Sequence, residues 1–332
     1  MSRPAAVIVL AAGQGTRMKS ALPKVVHPLS GLSMIGHALR AAHGLDPEHL
    51  VAVVRHQRDV VAAEIERVLP SAIIADQDEI PGTGRAVQCG LETLDKAVEP
   101  VSGTIVVTYG DVPLLSTDTL AELVATHEGA GHAVTVLTSR VEDPTGYGRV
   151  VRDAAGNVSR IVEQKDADAE TLKINEVNTG ILVCPTGPLK RWLTALKNDN
   201  AQGEYYLTDV IAAAVADGTG VVTAHPDAEW ETLGVNSKTQ LAFLERRHQR
   251  NLADRLTDSG VMLADPDRID IRGTLECGRD VFIDVGCVFE GTVRLGKGVK
   301  IGPNCVLKDC TLADGTQVQA MSVIDSAEVG AQ

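Results

Sequence analysis

Hydrophobic and polar positions follow two different patterns along this chain. From Ala5 to about Val235, short apolar runs alternate with amphipathic stretches. This pattern is typical of strands that alternate with crossover helices in a parallel α/β fold. The apolar runs predict buried strands at Ala5–Val9, Leu50–Val54, Ala72–Ala75, Thr104–Thr108 and Ala133–Leu137. The amphipathic stretches predict helices at Ser33–His43, Arg58–Leu69, Gly84–Leu91, Thr117–Glu128 and Leu207–Ala216. We therefore predict an α/β fold with an open, doubly wound, Rossmann-like sheet.

A different pattern begins after Asn236. Leucines at helical spacing predict one long helix over Thr239–Thr257, which we interpret as a linker. Beyond it, apolar residues recur every six positions, which is typical of a left-handed parallel β-helix. The two series are Ile269, Leu275, Val281, Cys287, Val293, Val299 and Cys305, and Ile271, Cys277, Ile283, Phe289, Leu295, Ile301 and Leu307.

These patterns divide the chain into a first domain at residues 1–235, a linker helix at 236–260 and the start of a β-helix at 261–332. The rhythm is still running when the sequence reaches Gln332, without the atypical end that a solenoid needs, so we expect a truncated β-helix.

Composition narrows the function classes. The 332 residues carry a formal net charge of -13 with no basic run, which disfavours a nucleic-acid partner. No run of about 18 apolar residues and no leader-like N-terminus occur, so we expect a cytoplasmic protein without membrane insertion. The six cysteines form no C-x-x-C pair, which favours buried, reduced thiols.

The strongest chemical signal follows the first predicted strand. Small residues and glycines run from Leu10 to Met18, and Leu22-Pro23-Lys24 comes shortly after. Such a loop lets backbone amides surround phosphates, while Arg17 and Lys24 add positive charge. It is neither a Walker A loop nor a complete dinucleotide fingerprint. We therefore predict that a nucleoside triphosphate binds here.

Other polar residues follow later strand ends. Gln77 and the turn at Gly82-Thr83-Gly84 have the donors and acceptors to bind a base, although Gln77 taken alone is better explained as a solvated loop residue. Asp111, after Tyr109-Gly110, is placed to hold Mg²⁺, and Asn236 could add a second oxygen. The alternatives are a turn carboxylate for Asp111 and a helix N-cap for Asn236.

A third set of residues suits a hydroxyl-rich sugar. Gly148 follows Tyr147, Glu163 lies in a polar stretch, and Asn178 precedes Thr179-Gly180. Carboxylate, amide and backbone amides provide oriented hydrogen bonds to hydroxyl and acetamido groups. Each residue also has a purely structural explanation, so the prediction depends on their joint occurrence.

In combination, these motifs resemble the pyrophosphorylase domain of the bacterial bifunctional N-acetylglucosamine-1-phosphate uridylyltransferase/glucosamine-1-phosphate acetyltransferase family, and the resemblance covers essentially the whole chain. It implies a Mg²⁺-dependent enzyme that makes UDP-N-acetylglucosamine and pyrophosphate from UTP and N-acetylglucosamine 1-phosphate, a step toward peptidoglycan and lipopolysaccharide. It also implies a homotrimer and an acetyl-CoA-dependent activity in the full-length form. We expect that second activity to be absent here, because its residues lie in later coils.

The resemblance also implies roles for individual residues. Arg17 and Lys24 would be catalytic, and Asp111 and Asn236 would bind the metal. The substrate-binding residues would be Leu10, Ala11, Ala12, Gly13, Lys24, Gln77, Gly82, Thr83, Tyr109, Gly110, Asp111, Gly148, Glu163, Asn178 and Asn236.

Three positions depart from the family pattern. Pro81 replaces a usual Leu and Arg85 a usual His, so the shape and charge of the nucleotide loop could differ, whereas we expect Gln164 in place of His to matter little. Alternative functions are nucleotidyl transfer with another base or sugar, a non-catalytic scaffold of the same fold, and an acyltransferase defined by the β-helix.

Overall fold

The computed structural model describes residues 3–98, 100–131 and 134–330. The chain forms two compact units. The first contains the chain through His27 and then Met34–Asn236, and the second contains Pro28–Ser33 and the chain from Ser237 onward.

The helices and strands up to residue 258 are as follows. The helices are α1 Met34–His43, α2 Arg58–Val68, α3 Thr83–Ala97, α4 Thr117–Ala130, α5 Thr186–Ala195, α6 Asp209–Ala216 and α7 Lys238–Asp258. The strands are β1 Ala6–Leu10, β2 Pro28–Leu29, β3 Leu32–Ser33, β4 His49–Val54, β5 Ile73–Asp76, β6 Thr104–Tyr109, β7 Val134–Arg140, β8 Gly148–Arg152, β9 Val158–Val162, β10 Glu176–Pro185 and β11 Val221–Ala224.

The first unit is built on one nine-stranded sheet, in the order β11-β7-β10-β6-β1-β4-β5, with β8 paired to β10 and β9 paired to β8. β1 lies parallel to both β4 and β6. The chain moves outward from β1 to β4 and β5, then returns to β6 on the other side of β1. This reversal opens a crevice at the carboxyl ends of β1 and β6, where ligands bind in such sheets.

Alternating residues of each strand fill two cores, one on each face of the sheet. Ile8 and Leu10 of β1 belong to the core that contains residues of α3, α5 and α6, whereas Val7 and Val9 belong to the core that contains residues of α1, α2 and α4. The central strands are therefore buried on both sides, which explains their continuous apolar sequence. The predicted doubly wound α/β fold is confirmed.

The sequence pattern misses part of this sheet. β8, β9, β10, β11 and α5 were not predicted, and β10 runs antiparallel to β6 and β7. β10 carries Asn178-Thr179-Gly180 in its middle and has a register shift there, so its polar residues interrupt the apolar run that marks a buried strand. The prediction at Ala133–Leu137 corresponds to β7, although Ala133 itself lies outside the described residues.

Several predicted boundaries move by one or more residues. Ser33 belongs to β3 rather than to α1, and α3 continues six residues past Leu91 to Ala97. The predicted helix at Leu207 begins instead at Asp209, with Thr208 preceding it. These shifts are the usual uncertainty of helix ends, where capping geometry decides.

The second unit contains α7, the hairpin of β2 and β3, and a parallel β-helix. Its strands are β12 Met262–Leu263, β13 Ile269–Cys277, β14 Phe282–Ile283, β15 Cys287–Leu295, β16 Lys300–Ile301, β17 Val306–Lys308, β18 Thr311–Leu312, β19 Gln317–Val318, β20 Val323–Asp325 and β21 Glu328–Val329. The buried amide of Gln249 in α7 donates to Ile271 O at 2.8 Å and accepts from Ile271 N at 2.7 Å, which fixes the first coil.

Both predicted hexad series face the interior of the coils. Leu275 and Cys277 are half-buried, and the other members of the two series are buried. Ile269 pairs with Cys287, so one coil takes 18 residues, or three hexads. At the next corner, Glu290 still pairs with Lys308, but Arg294 pairs with Thr311, which is only 17 positions later. One residue is missing from that corner, so the hexad rhythm shifts by one position there and then continues with Leu312, Val318 and Ile324.

Candidate active site

The glycine loop, residues 10–18, leaves the carboxyl end of β1 in the crevice. Gly110 N donates to Leu10 O at 2.9 Å, which joins the ends of β1 and β6. Gly15 has a φ of 65° and faces Lys24, whose Cβ would lie 2.5 Å from an added methyl group. Only a glycine fits this close approach without strain. Loop conformation and lysine position are therefore coupled.

A cavity of about 440 Å³ lies along this loop. Most of the residues predicted to bind the nucleotide surround it. Its lining consists of Leu10, Ala11, Ala12, Gly13, Gln14, Lys24, Val25, Arg55, His56, Gln77, Pro81, Gly82, Thr83, Ala86, Tyr109, Asp111 and Glu204. Arg17 is exposed in the short 3-10 helix Thr16–Met18 and is absent from this lining.

Three predicted site residues converge at one end of the cavity, and we call them the Lys24 cluster. Lys24 Nζ donates to Asp111 Oδ2 and, at 3.1 Å, to Asn236 Oδ1. The side chains of Lys24 and Asp111 are 10% and 20% exposed, so their ion pair is shielded from solvent. Asn236 lies here because Val235 N donates to Asp111 O at 2.9 Å. Two oxygen donors, 125 positions apart in sequence (236 - 111), thus share one cation.

The opposite end of the cavity is formed by the 77–83 loop. Gln77 Nε2 donates to Ile80 O at 2.9 Å and to Gly82 O at 3.2 Å, so the amide that we expected to face a base holds its own loop together. Gly82 has a φ of 125°, and an added methyl group would collide with the backbone of Tyr205. Thr83 Oγ1 accepts from Leu207 N at 3.0 Å, which closes the loop against the start of α6.

Arg85 and Arg55 attach this loop to the sheet and to α3. Arg85 Nε lies 2.9 Å from Asp78 Oδ2, and its Nη1 lies 2.9 Å from Glu92 Oε1. Its hydrogen bond holds the pKa of Asp78 below the usual range. Arg55 Nη2 donates to Glu79 O at 3.1 Å. The positive charge that Arg85 brings is thus compensated by two carboxylates.

The residues predicted to bind a sugar form a second cluster beside Tyr109. Gly148 pairs with Asn178 across β8 and β10, and a methyl group on Gly148 would lie 3.3 Å from Glu163 Oε1. A methyl group on Gly180, which has a φ of 86°, would lie 2.5 Å from the Tyr109 ring. The structure therefore brings Gly148 close to both Glu163 and Asn178.

Burial changes the acid strengths in this second cluster. Burial raises the pKa of Glu163, while a hydrogen bond from Thr208 Oγ1 to Glu163 Oε1 at 3.2 Å acts in the opposite direction. Burial also raises the pKa of Tyr109 far above its usual range, and the nearby carboxylates of Glu163 and Asp111 add to this shift. Tyr109 is therefore a neutral hydrogen-bonding group at physiological pH.

Comparison with known proteins agrees with this architecture. Residues 7–173 match the family described as the MobA-like NTP transferase domain. The "Bifunctional protein GlmU" of Burkholderia vietnamiensis is 55% identical over 326 residues, which cover 98% of this chain and 70% of that protein. The protein of the same name from Ralstonia nicotianae is 54% identical over 330 residues, with the same shares covered. The chain belongs to the bifunctional GlmU family.

Membership in the GlmU family makes the chain an enzyme with a nucleotidyltransferase domain. Nothing in the described part of the chain groups three or more His, Cys, Asp or Glu side chains into a metal site. Asp111 and Asn236, one carboxylate and one amide, remain the candidate metal ligands. Among the described residues, no helix is long and apolar enough to cross a membrane.

Sequence reasoning missed several side chains in this GlmU-type site. Thr208 donates a hydrogen bond to Glu163, and Arg55 and Glu204 line the cavity. None of these three residues lies in a recognisable motif. Gln164 Oε1 accepts from Gly146 N at 2.7 Å and from Arg149 Nη2 at 3.1 Å, so it supports the turn that presents Gly148. This polar contact was not anticipated, because its partners are 15 and 18 positions away.

Proposed function

We propose that this chain is a uridylyltransferase that joins UTP and N-acetylglucosamine 1-phosphate to give UDP-N-acetylglucosamine and pyrophosphate. One observation carries the proposal: Lys24, Asp111 and Asn236 converge beside the glycine loop, at the crevice between β1 and β6. A lysine and two oxygen donors at this position suit a polyanionic substrate with a bound metal. Membership in the GlmU family supports the specific base and sugar.

The two clusters suggest how the substrates divide the site. The cavity along the glycine loop and the 77–83 loop would hold UTP, with phosphates near Lys24. The cluster of Gly148, Glu163 and Asn178 would hold the sugar. The Glu163 carboxylate can accept from sugar hydroxyl groups, and the Asn178 amide can donate to and accept from hydroxyl and acetamido groups. Tyr109 lines the cavity together with Asp111 and also lies close to Gly180, so the reacting phosphates would meet near Tyr109 and Asp111.

The donor set of the Lys24 cluster fits Mg²⁺. This ion usually binds proteins through one or two carboxylates, keeping waters and substrate phosphates as its other ligands. When bound, Mg²⁺ supplies Lewis-acid stabilisation of charge on the phosphate oxygens. A divalent cation would compete with the Lys24 ammonium for the oxygens of Asp111 and Asn236. We therefore expect Lys24 to pair with the phosphates in the loaded enzyme.

The chemistry needs little from the protein beyond position and charge. An oxygen of the sugar phosphate attacks the α-phosphorus of UTP, the new P–O bond forms, and the bond to the β-phosphate oxygen breaks to release pyrophosphate. The nucleophile is already an anion, so no general base is required. Lys24 would offset the repulsion between the two anions, whereas Arg17 would have to reach the phosphates from outside the cavity lining.

Pyrophosphate release tests this function directly. The chain is incubated with Mg²⁺, N-acetylglucosamine 1-phosphate and, in turn, UTP, CTP, GTP, ATP and dTTP. Release with UTP, at a rate at least tenfold above that with any other nucleotide, is expected. Release with another nucleotide would overturn the base assignment, and no release with any nucleotide would favour a non-catalytic scaffold. Glucose 1-phosphate in place of the acetamido sugar tests the sugar in the same way.

A further inference from the structure

A buried carboxylate lies behind the Lys24 cluster, outside the substrate cavity. Glu231 belongs to the 3-10 helix Glu229–Thr232 and is only 6% exposed. Its Oε2 accepts from Ser116 Oγ at 3.1 Å and from Thr119 Oγ1. Within the described part of the chain, hydroxyl groups and not a basic side chain thus satisfy this carboxylate.

The two hydroxyls belong to the start of α4. Ser116 is the N-cap of this helix, and its Oγ accepts from Thr119 N at 3.0 Å. Glu231 therefore extends the cap with a full negative charge at the helix N-terminus, where the helix dipole favours an anion. Hydrogen bonds to an ionised group are short and directional, so this junction holds its parts in one arrangement.

The position of this junction in the sequence is informative. Ser116 follows Asp111 by five residues, and Glu231 precedes Asn236 by five residues. The two segments are also joined at their other ends, where Val235 N donates to Asp111 O at 2.9 Å. They form a closed frame, with the Glu231 junction at one end and the two candidate metal ligands at the other.

Buried side chains within the frame make it stiff. Val112, Leu114 and Leu115 are at most 7% exposed on one segment, and Val235 is 0% exposed on the other. Close-packed apolar side chains transmit small displacements instead of absorbing them. A change at Glu231 would therefore alter the spacing between Asp111 and Asn236, although Glu231 touches neither.

We propose that Glu231 is a positioning residue that sets the spacing of Asp111 and Asn236 for a divalent cation. The proposal rests on the proposed function, because it assumes that these two side chains bind the metal. It makes a demand that a merely structural clamp does not make: loss of the oxygen that accepts from the two hydroxyls must change metal affinity, and not only thermal stability.

The test compares three variants of the full chain. Glu231→Ala removes the junction, and Glu231→Gln retains an oxygen that can accept from both hydroxyls. The matched control is Glu229→Ala, which removes an exposed carboxylate from the same 3-10 helix. Mn²⁺ binding in the presence of UTP is followed by electron paramagnetic resonance. The Mg²⁺ concentration for half-maximal pyrophosphate release and the thermal midpoint are measured alongside.

Glu231→Ala is expected to weaken Mn²⁺ binding and to raise the half-maximal Mg²⁺ concentration by tenfold or more. Saturating Mg²⁺ should restore most of the turnover, with the KM for N-acetylglucosamine 1-phosphate unchanged. Glu231→Gln should shift metal affinity less than threefold, and Glu229→Ala should not shift it. If Glu231→Ala fails to fold, Thr119→Val is measured instead. This change removes one hydroxyl at constant shape and should shift metal affinity about threefold.

Two results would overturn the proposal. One is a folded Glu231→Ala variant that binds the metal with wild-type affinity, even if its thermal midpoint falls. Where Glu231→Ala does not fold, a folded Thr119→Val variant with wild-type metal affinity has the same meaning. The other is a wild-type chain that binds no Mn²⁺ with UTP, which would also remove the basis of the proposed function. Wild-type Mn²⁺ binding without any turnover would contradict only the proposed function, and the affinities of the variants would still decide the role of Glu231.

Discussion

The two ends of the substrate cavity are held by different kinds of interaction. The Lys24 cluster is shielded, with the side chains of Lys24 and Asp111 only 10% and 20% exposed. The 77–83 loop is held by ion pairs whose carboxylates are open to water, at 40% exposure for Asp78 and 43% for Glu92. Charges interact more strongly where water is excluded. We therefore expect larger effects on activity from substitutions in the Lys24 cluster than from substitutions in the 77–83 loop.

The largest effect is expected at the buried end, from Asp111→Asn. This change keeps the shape but removes the only carboxylate in the Lys24 cluster, so turnover should fall about a thousandfold, or about 4 kcal/mol of transition-state stabilisation. Pyrophosphate release measures the loss, and circular dichroism checks the fold. A loss of less than tenfold would remove Asp111 from the metal site.

Lys24→Ala should have opposite effects on turnover, which needs a cation beside the phosphates, and on metal affinity, which the cation opposes. Turnover should fall about a hundredfold, because the cation that faces the phosphates is lost. Mn²⁺ should bind as tightly as in the wild type or more tightly, since the ammonium no longer competes for Asp111 and Asn236. Isothermal titration and pyrophosphate release give the two values, with the exposed Lys197→Ala as control. Weaker Mn²⁺ binding would contradict the competition.

A smaller effect is expected from Gly180→Ala beside the sugar cluster. The added methyl group would lie 2.5 Å from the Tyr109 ring, at a φ of 86° that disfavours alanine. The KM for the sugar phosphate should rise about tenfold, and stability should fall by about 1–3 kcal/mol. Gly187→Ala is the matched control, because a methyl group there meets nothing within 4 Å. Equal behaviour of the two variants would argue against close packing at Tyr109.

The smallest effect is expected at the exposed end, from Arg85→Ala. Loss of the pairs with Asp78 and Glu92 should raise the KM for UTP only about two- to fivefold and leave kcat unchanged, since exposed ion pairs contribute about 0–1 kcal/mol. The difference from wild type should shrink further at 0.5 M salt, where about 4 Å of screening length remains. A large fall in kcat would mean that the loop takes part in catalysis.

Periodic parts of the fold were predictable from sequence because the polarity of each residue indicates whether its side chain faces the core or solvent. Val293 and Leu295 face the interior of the β-helix as their place in the hexads predicts. The central strands of the sheet were equally visible, since burial on both faces leaves a continuous apolar run. β10 was missed because the half-buried Asn178-Thr179-Gly180 interrupts its apolar run.

Residues of the candidate site were predictable from sequence only where they directly follow a strand of the sheet. The glycine loop and Asp111 follow strand ends, so their convergence could be expected from the sheet alone. The contact of Lys24 with Asn236, and that of Thr208 with Glu163, join residues from distant segments. The hydrogen bonds of Gln77 within its own loop also depend on turn geometry that no sequence pattern encodes.

The short corner of the β-helix indicates where the sequence of such a domain can gain or lose residues during evolution. Between Glu290 and Arg294 the chain needs three residues, whereas the matching corner between Lys308 and Thr311 needs two, and pairing continues on both sides. Asp309, with a φ of 43°, turns the shorter corner and accepts from Thr292 N at 3.0 Å. Single-residue insertions and deletions can therefore accumulate at corners without disturbing the stacked faces. Such corners offer sites for grafting a peptide tag or for recombining coils between relatives.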